Sequence, residues 1–178
     1  MKTARQCSKK RIEAGRLDSA GTSRERAHTR RRFLVGALGG IFLACTPAES
    51  ESSPEIVFQD AEQQAHQFME WERTIRLSPE QEQIKKTALT SISAPCCSDN
   101  SAYTCCCPCN MSRTIWGLAN HMIAKQNADA AAVRAKTEEW IAFINPEGYD
   151  GKACYTGRCP RPFREDGCGG MNASQLHF

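Results

Sequence analysis

The sequence predicts an all-α domain, a small helical hairpin or bundle closed by an irregular Cys- and Gly-rich C-terminal cap. Three observations predict it. Between about Gln59 and Ile144 the large apolar residues recur at spacings of three and four, the period of a helix face. No sustained two-residue alternation and no internal repeat interrupts that pattern. After Pro146 the periodicity stops in "EGYDGKACYTGRCPRPFREDGCGGM", where glycine and proline dominate.

The first helix is expected from about Gln59 to Arg76, with Ala61, Ala65, Phe68 and Ile75 on one face and Trp71 beside it. His66 lies within it, as a packing or surface residue. Ser78, Pro79 and Gln81 then spell a helix start: a capping serine, proline at the first helical position and a capping-box glutamine. That second helix runs through Ile84, Ala88 and Leu89 and stops before "SISAPCC". The third extends from about Cys109 to Gln126, where Met111, Ile115, Leu118 and Met122 form a narrow apolar stripe. Asn127 ends it and Asp129 caps the fourth, whose face is Val133, Trp140, Ile141 and Ile144 and whose end is the Asn145-Pro146 step. The third and fourth make an antiparallel hairpin with methionine and tryptophan as core filling rather than a haem site. Beyond Pro146 few large apolar residues are available, so the cysteines are expected to fix the tail.

Charge is unevenly spread. Residues 1–32 hold eleven Lys and Arg against three Asp and Glu, leaving twelve against seventeen in the remainder. A phosphate-binding footprint is absent from that remainder, so no nucleic-acid partner is expected. The basic block instead leads into "TRRRFLVGALGGIFLAC". Thr29, Arg30, Arg31, Phe33 and Leu34 fit the twin-arginine export pattern, and the apolar run from Phe33 to Ala44 is too short for a bilayer span of roughly 20 residues. The implied partner is the twin-arginine translocase. "FLAC" resembles a lipoprotein box with Cys45 as the lipidated residue, although Phe42 stands where leucine is usual. Cleavage after Ala48 is the alternative and gives a soluble secreted or periplasmic protein. The acidic, Ser-rich stretch after Cys45 reads as a flexible stalk. The expected organisation is a signal over 1–44, a tether over 45–57 and a cysteine-rich helical domain over 58–178, anchored to the membrane on the periplasmic side.

With Cys7 removed and Cys45 lipidated, nine cysteines remain, all within the last 83 residues: Cys96, Cys97, Cys105, Cys106, Cys107, Cys109, Cys154, Cys159 and Cys168. That density allows three chemistries. The first is a disulfide framework with no cofactor, for which the odd count leaves one thiol over and the adjacent cysteines must find separate partners. The second is a thiolate site for zinc, copper or an iron–sulfur cluster, with Cys105, Cys106, Cys107, Cys109, Cys154, Cys159 and Cys168 as ligands. His121, 14 residues after Cys107 and about 21 Å along a helix, cannot share an ion with it inside that helix, and His177 is unconstrained. The third is thiol–disulfide exchange: the Cys106-x-x-Cys109 pair at a helix start meets a positive dipole end and free N–H groups that stabilise a thiolate. Cys106 then attacks and Cys109 resolves. Arg158, Arg161 and Arg164 form a basic loop around Cys159.

Two resemblances cover residues 104 to about 145. Cys106-x-x-Cys109-Asn110-Met111-Ser112 followed by two helices resembles the periplasmic helical domain of the apocytochrome thiol reductase of cytochrome c maturation, which implies catalytic roles for Cys106 and Cys109. The residue after the pair is Asn110 where that family has glutamine. The density of Pro95-Cys96-Cys97 and Cys105-Cys106-Cys107-Pro108-Cys109 is similar to bacterial lipoproteins with a Pro-Cys-Tyr-Cys-Gly-Cys motif. Both imply an exported, anchored, cysteine-rich helical domain, and neither fixes a reaction. The residues themselves make thiolate metal binding the leading specific activity, with thiol exchange as its enzymatic rival and a disulfide-stapled binding module as the third reading.

Overall fold

The computed structural model describes residues 55–178. The export residues Arg30, Arg31, Phe33 and Leu34, and Cys7 and Cys45, lie outside the described residues.

Four helices carry the domain: α1 Ala61–Thr74, α2 Pro79–Thr90, α3 Asn110–Gln126 and α4 Ala130–Ile144. Their ends follow the capping chemistry of the sequence. Asp60 accepts from the Gln63 N–H at 2.9 Å, and Asp129 accepts from Ala132 at 2.8 Å. Ser78 and Gln81 form a reciprocal box: the serine Oγ accepts from the Gln81 N–H at 3.3 Å, and Gln81 Oε1 accepts from the Ser78 N–H at 3.0 Å. Asn127 closes α3 in the left-handed conformation, φ 52°, which asparagine tolerates better than most residues. His66 is exposed.

The expected hairpin is part of a larger arrangement. α3 is the central helix, and its burial is nearly all-round rather than a narrow stripe: Asn110, Ser112, Thr114 and Gly117 are buried alongside Met111, Ile115, Leu118 and Met122. A Cβ on Gly117 would lie 1.7 Å from the Phe68 carbonyl oxygen, so α1 crosses α3 backbone to backbone where only glycine fits. Trp140 on α4 is fully buried and meets Phe68 edge-on at 4.9 Å and Phe58 at 5.3 Å. Burying side chains of this size contributes about 1.5–3 kcal/mol each. The indole N–H donates to Thr114 Oγ1 at 3.1 Å, and that hydroxyl donates to the Met111 carbonyl, so both of these buried groups are satisfied. Packing already begins at Ile56 and Phe58, just before α1. No helix among the described residues is long and apolar enough to cross a membrane.

A two-stranded antiparallel sheet joins α2 to α3, with β1 at Ser93–Ala94 and β2 at Cys97–Ser101. The sequence reading contained no strand. A two-residue strand cannot display alternation, and the register shift between Ser93 and Ala94 breaks what little there is.

The C-terminal segment forms a cap, as expected, held in part by hydrogen bonds and one buried aromatic. It contains α5, Ala153–Thr156, and a 3₁₀ turn, Phe163–Glu165. Phe163 is fully buried and meets Phe178 edge-on at 5.0 Å, giving the tail an apolar anchor. Backbone bonds do the rest: Gly169 donates to Arg161, Gly170 to Cys159, His177 to Gly169 and Phe163 to His177.

Candidate metal centre

The cysteines converge where the β-hairpin, the start of α3 and the tail meet. The run from Cys105 to Cys109 bends at Cys106 and Cys107, and exposure alternates along it. Cys105, Cys107 and Cys109 are partly or fully covered, while Cys106 and Pro108 are exposed. Pro108 makes the chain turn sharply, with the Cys109 N–H donating to the Cys107 carbonyl at 2.8 Å. Cys109 is then the N-terminal cap residue of α3.

Two groups result. The inner one is Cys96, Cys105 and Cys109, whose sulfurs all lie within 4.8 Å of one another; Cys96 and Cys105 are 4.0 Å apart. Cys168, fully buried, belongs to the same neighbourhood through its interaction with Cys109. The outer group is Cys106, Cys107 and Cys154, again within 4.8 Å. Cys106 lies 3.9 Å from Cys154 and 4.0 Å from Cys107, and Cys159 lies 3.9 Å from Cys154.

All seven cysteines expected as ligands therefore fall in or beside these groups, but Cys106 and Cys109 do not fall together. The chain bends at Cys106 and Cys107 and turns at Pro108, leaving Cys106 exposed in the outer group and Cys109 buried in the inner one. Cys96 is the ligand candidate the sequence reading omitted. Its signal was Pro95 before a Cys-Cys pair: the turn seats Cys96 opposite Cys105, and the Cys96 carbonyl accepts from the Cys154 N–H at 3.1 Å. Cys97 stands apart, buried, accepting from Asn100 Nδ2 at 3.2 Å. Tyr155 donates its phenol to Asp99 beside it. His121 stacks on Trp71 at 3.7 Å, about 18 Å along α3 from Cys109, and His177 is exposed. Arg158 donates to Asp166 at 2.7 Å, so that guanidinium is committed to a carboxylate rather than to Cys159.

The helix start differs from the thiol-exchange picture in one respect. The N–H groups that such a reading assigns to a thiolate are engaged by carbonyls: Asn110 donates to Gly170 at 2.9 Å, Met111 to Cys168 at 3.1 Å and Cys109 to Cys107. Asn110 reinforces this clamp with its fully buried side chain, whose Nδ2 donates to the carbonyls of Gly169 at 2.8 Å and Asn172 at 3.0 Å. The tail thus closes over the helix end.

Electrostatics inside the inner group are set by the thiols themselves. Cys109 is held far below the ordinary thiol range, first by Cys105 and then by Cys107, Cys168 and Cys96, against burial that pushes the other way. Cys107 is pushed up, first by Cys105 and then by Cys109. Cys168 is pushed up by Cys109 and by burial. For Cys96 and Cys105 the stabilising thiol on one side, Cys105 and Cys107 respectively, is outweighed by Cys109 and burial, and both are raised. In the outer group burial, then Cys159 and Cys106, raise Cys154. Charge on one of these thiols disfavours charge on its neighbours, a conflict that a bound cation would relieve.

The donor set fits a soft cation. A tetrahedral ion with metal–sulfur bonds of about 2.3 Å holds its sulfurs about 3.8 Å apart, and a trigonal one about 4.0 Å. The close pairs here are 3.9–4.0 Å. An iron–sulfur cube spreads its cysteines over separate irons and so farther apart. No family model, no curated protein and no solved structure matches this chain.

Proposed function

We propose that this protein is a thiolate metal-binding module for a soft ion, zinc or copper(I), displayed at the cell envelope. The observation that carries the proposal is the convergence of sulfurs in sets rather than pairs. Cys105 is approached by Cys96 and Cys109, and Cys154 by both Cys106 and Cys159. A framework of separate disulfides asks for isolated couples instead. A bound ion supplies the positive charge that lets neighbouring thiols ionise together; Cys96, Cys105, Cys109 and Cys168 are the donors of an inner site, and Cys106, Cys107, Cys154 and Cys159 those of an outer one. An iron–sulfur cluster fits the close spacing less well.

Export through the twin-arginine route, which Arg30, Arg31, Phe33 and Leu34 support, agrees with a site loaded before crossing the membrane. Lipidation of Cys45 then holds the domain at the membrane surface, the organisation of the Pro-Cys-Tyr-Cys-Gly-Cys lipoproteins it resembles. Thiol–disulfide exchange, the activity implied by the likeness to the cytochrome c maturation reductase, is the second reading. The observation in its favour is the exposed Cys106 lying 3.9 Å from Cys154, which makes Cys154 rather than Cys109 the resolving thiol.

The test is elemental analysis with a denatured thiol count on protein purified anaerobically after export through its native signal. Near-stoichiometric zinc or copper with most thiols free is the expected result. No metal and at most one free thiol gives a disulfide framework. No metal, one labile disulfide and disulfide-reductase activity abolished by Cys106→Ser gives the exchange reading.

A further inference from the structure

The two sulfur groups share a boundary, and one residue stands on it. Cys107 lies 4.0 Å from Cys106 and within the outer set formed with Cys154. Its thiol also interacts with Cys105 and Cys109, both of the inner set. The backbone places Cys107 between the two sets. Cys105 two residues before it and Cys109 two residues after it belong to the inner set, and Cys106 directly before it belongs to the outer one. The Cys109 N–H to Cys107 carbonyl bond folds Cys109 back beside Cys107. Ser112 Oγ pins the same corner, donating to the carbonyls of Cys109 at 2.9 Å and Cys107 at 3.2 Å.

A thiolate sulfur keeps several lone pairs after binding one soft ion and can bind a second. We propose that Cys107 is a bridging ligand, so that the module holds one two-ion thiolate cluster rather than two independent ions. This rests on the metal-binding reading and extends it. Cys96, Cys105, Cys109 and Cys168 are the terminal ligands of the inner ion, and Cys106, Cys154 and Cys159 those of the outer ion. The outer ion, next to the exposed Cys106, is then the one that exchanges with solution first.

Cadmium-113 tests this, because two such nuclei joined by one sulfur split each other's resonance. The full chain carrying Cys7→Ser and Cys45→Ser would be loaded anaerobically with cadmium-113 and its spectrum recorded. Two mutually split resonances in the sulfur-rich region are expected. Cys107→Ser should abolish the splitting, whereas Cys159→Ser, which removes a terminal ligand, should shift one resonance and keep it. Far-UV circular dichroism identifies a variant that has lost its helices; in that case Cys107→Ala and the splitting in the parent chain decide the matter. Two unsplit resonances in the parent, or splitting that survives replacement of Cys107, overturn the bridge while leaving metal binding intact. Failure to bind cadmium at all removes both.

Discussion

Replacing Asn110 with alanine tests how the tail is held over the metal-binding corner. The change removes two hydrogen bonds, to Gly169 at 2.8 Å and Asn172 at 3.0 Å, and a longer one to Gln175 at 3.4 Å. Two ordinary bonds contribute about 0.5–1.5 kcal/mol each, and the Gly169 carbonyl keeps the His177 N–H as a donor at 3.1 Å. The local clamp should weaken by about 1–3 kcal/mol. Because the backbone bonds from Asn110 and Met111 to Gly170 and Cys168 survive, the loss should appear as opening of the tail before global unfolding. Hydrogen exchange is the assay: amides of Gly169, Gly170 and His177 should exchange about 5- to 150-fold faster, with those in the middle of α3 little changed. Metal affinity should fall too, since the opened segment carries Cys154, Cys159 and Cys168. Unchanged protection of the tail with weaker metal binding would refute the clamp. Unchanged protection with unchanged binding would refute both the clamp and its coupling to the site.

Other outcomes follow from the same structure. Gly117→Ala drives a methyl into the Phe68 carbonyl at 1.7 Å; the gain in helix propensity, about 1 kcal/mol, should be outweighed by α1 being displaced, giving a net loss of about 1–3 kcal/mol in chemical denaturation. Cys109→Ser should lower metal content more than Cys106→Ser, because the former removes the central inner donor and the latter an exposed outer one; equal losses in a metal titration would contradict this ranking. Binding should tighten as pH rises, because an incoming ion displaces protons from Cys96, Cys105, Cys107 and Cys168, all raised above the ordinary thiol range. Zinc affinity measured by competition should fall about tenfold per displaced proton for each pH unit below neutrality, and a pH-independent affinity would count against thiol ligands. His121 is lowered, chiefly by burial and secondarily by Lys125, so the unfolded chain binds this proton more readily. The stability of the metal-free protein should therefore decline as pH falls below about 6.5, with a shallower decline in His121→Gln.

The helices were legible because their signals are local. The Ser78-Pro79-Gln81 start, the Asp129 cap and the Asn127 stop are short-range capping chemistry that tertiary packing leaves unchanged. The centrality of α3 was not, since Asn110, Thr114 and Asn120 are polar by type and are buried only because the tail, α4 and the α1 end supply partners for them. The tail looked unsupported because its support is main-chain hydrogen bonding, which composition does not show, and because a single buried Phe163 makes no pattern. For the site, cysteine density identified the ligand pool. Spacing brought Cys106 and Cys109 together as a Cys-x-x-Cys pair, whereas the bends at Cys106 and Cys107 and the turn at Pro108 send the two to different groups.

The most direct measurement is X-ray absorption at the metal edge of the anaerobically purified, exported protein. The account predicts a first shell of three or four sulfurs at about 2.3 Å. A shell dominated by nitrogen or oxygen would contradict it, as would a metal-free protein whose sulfur-edge spectrum shows disulfides.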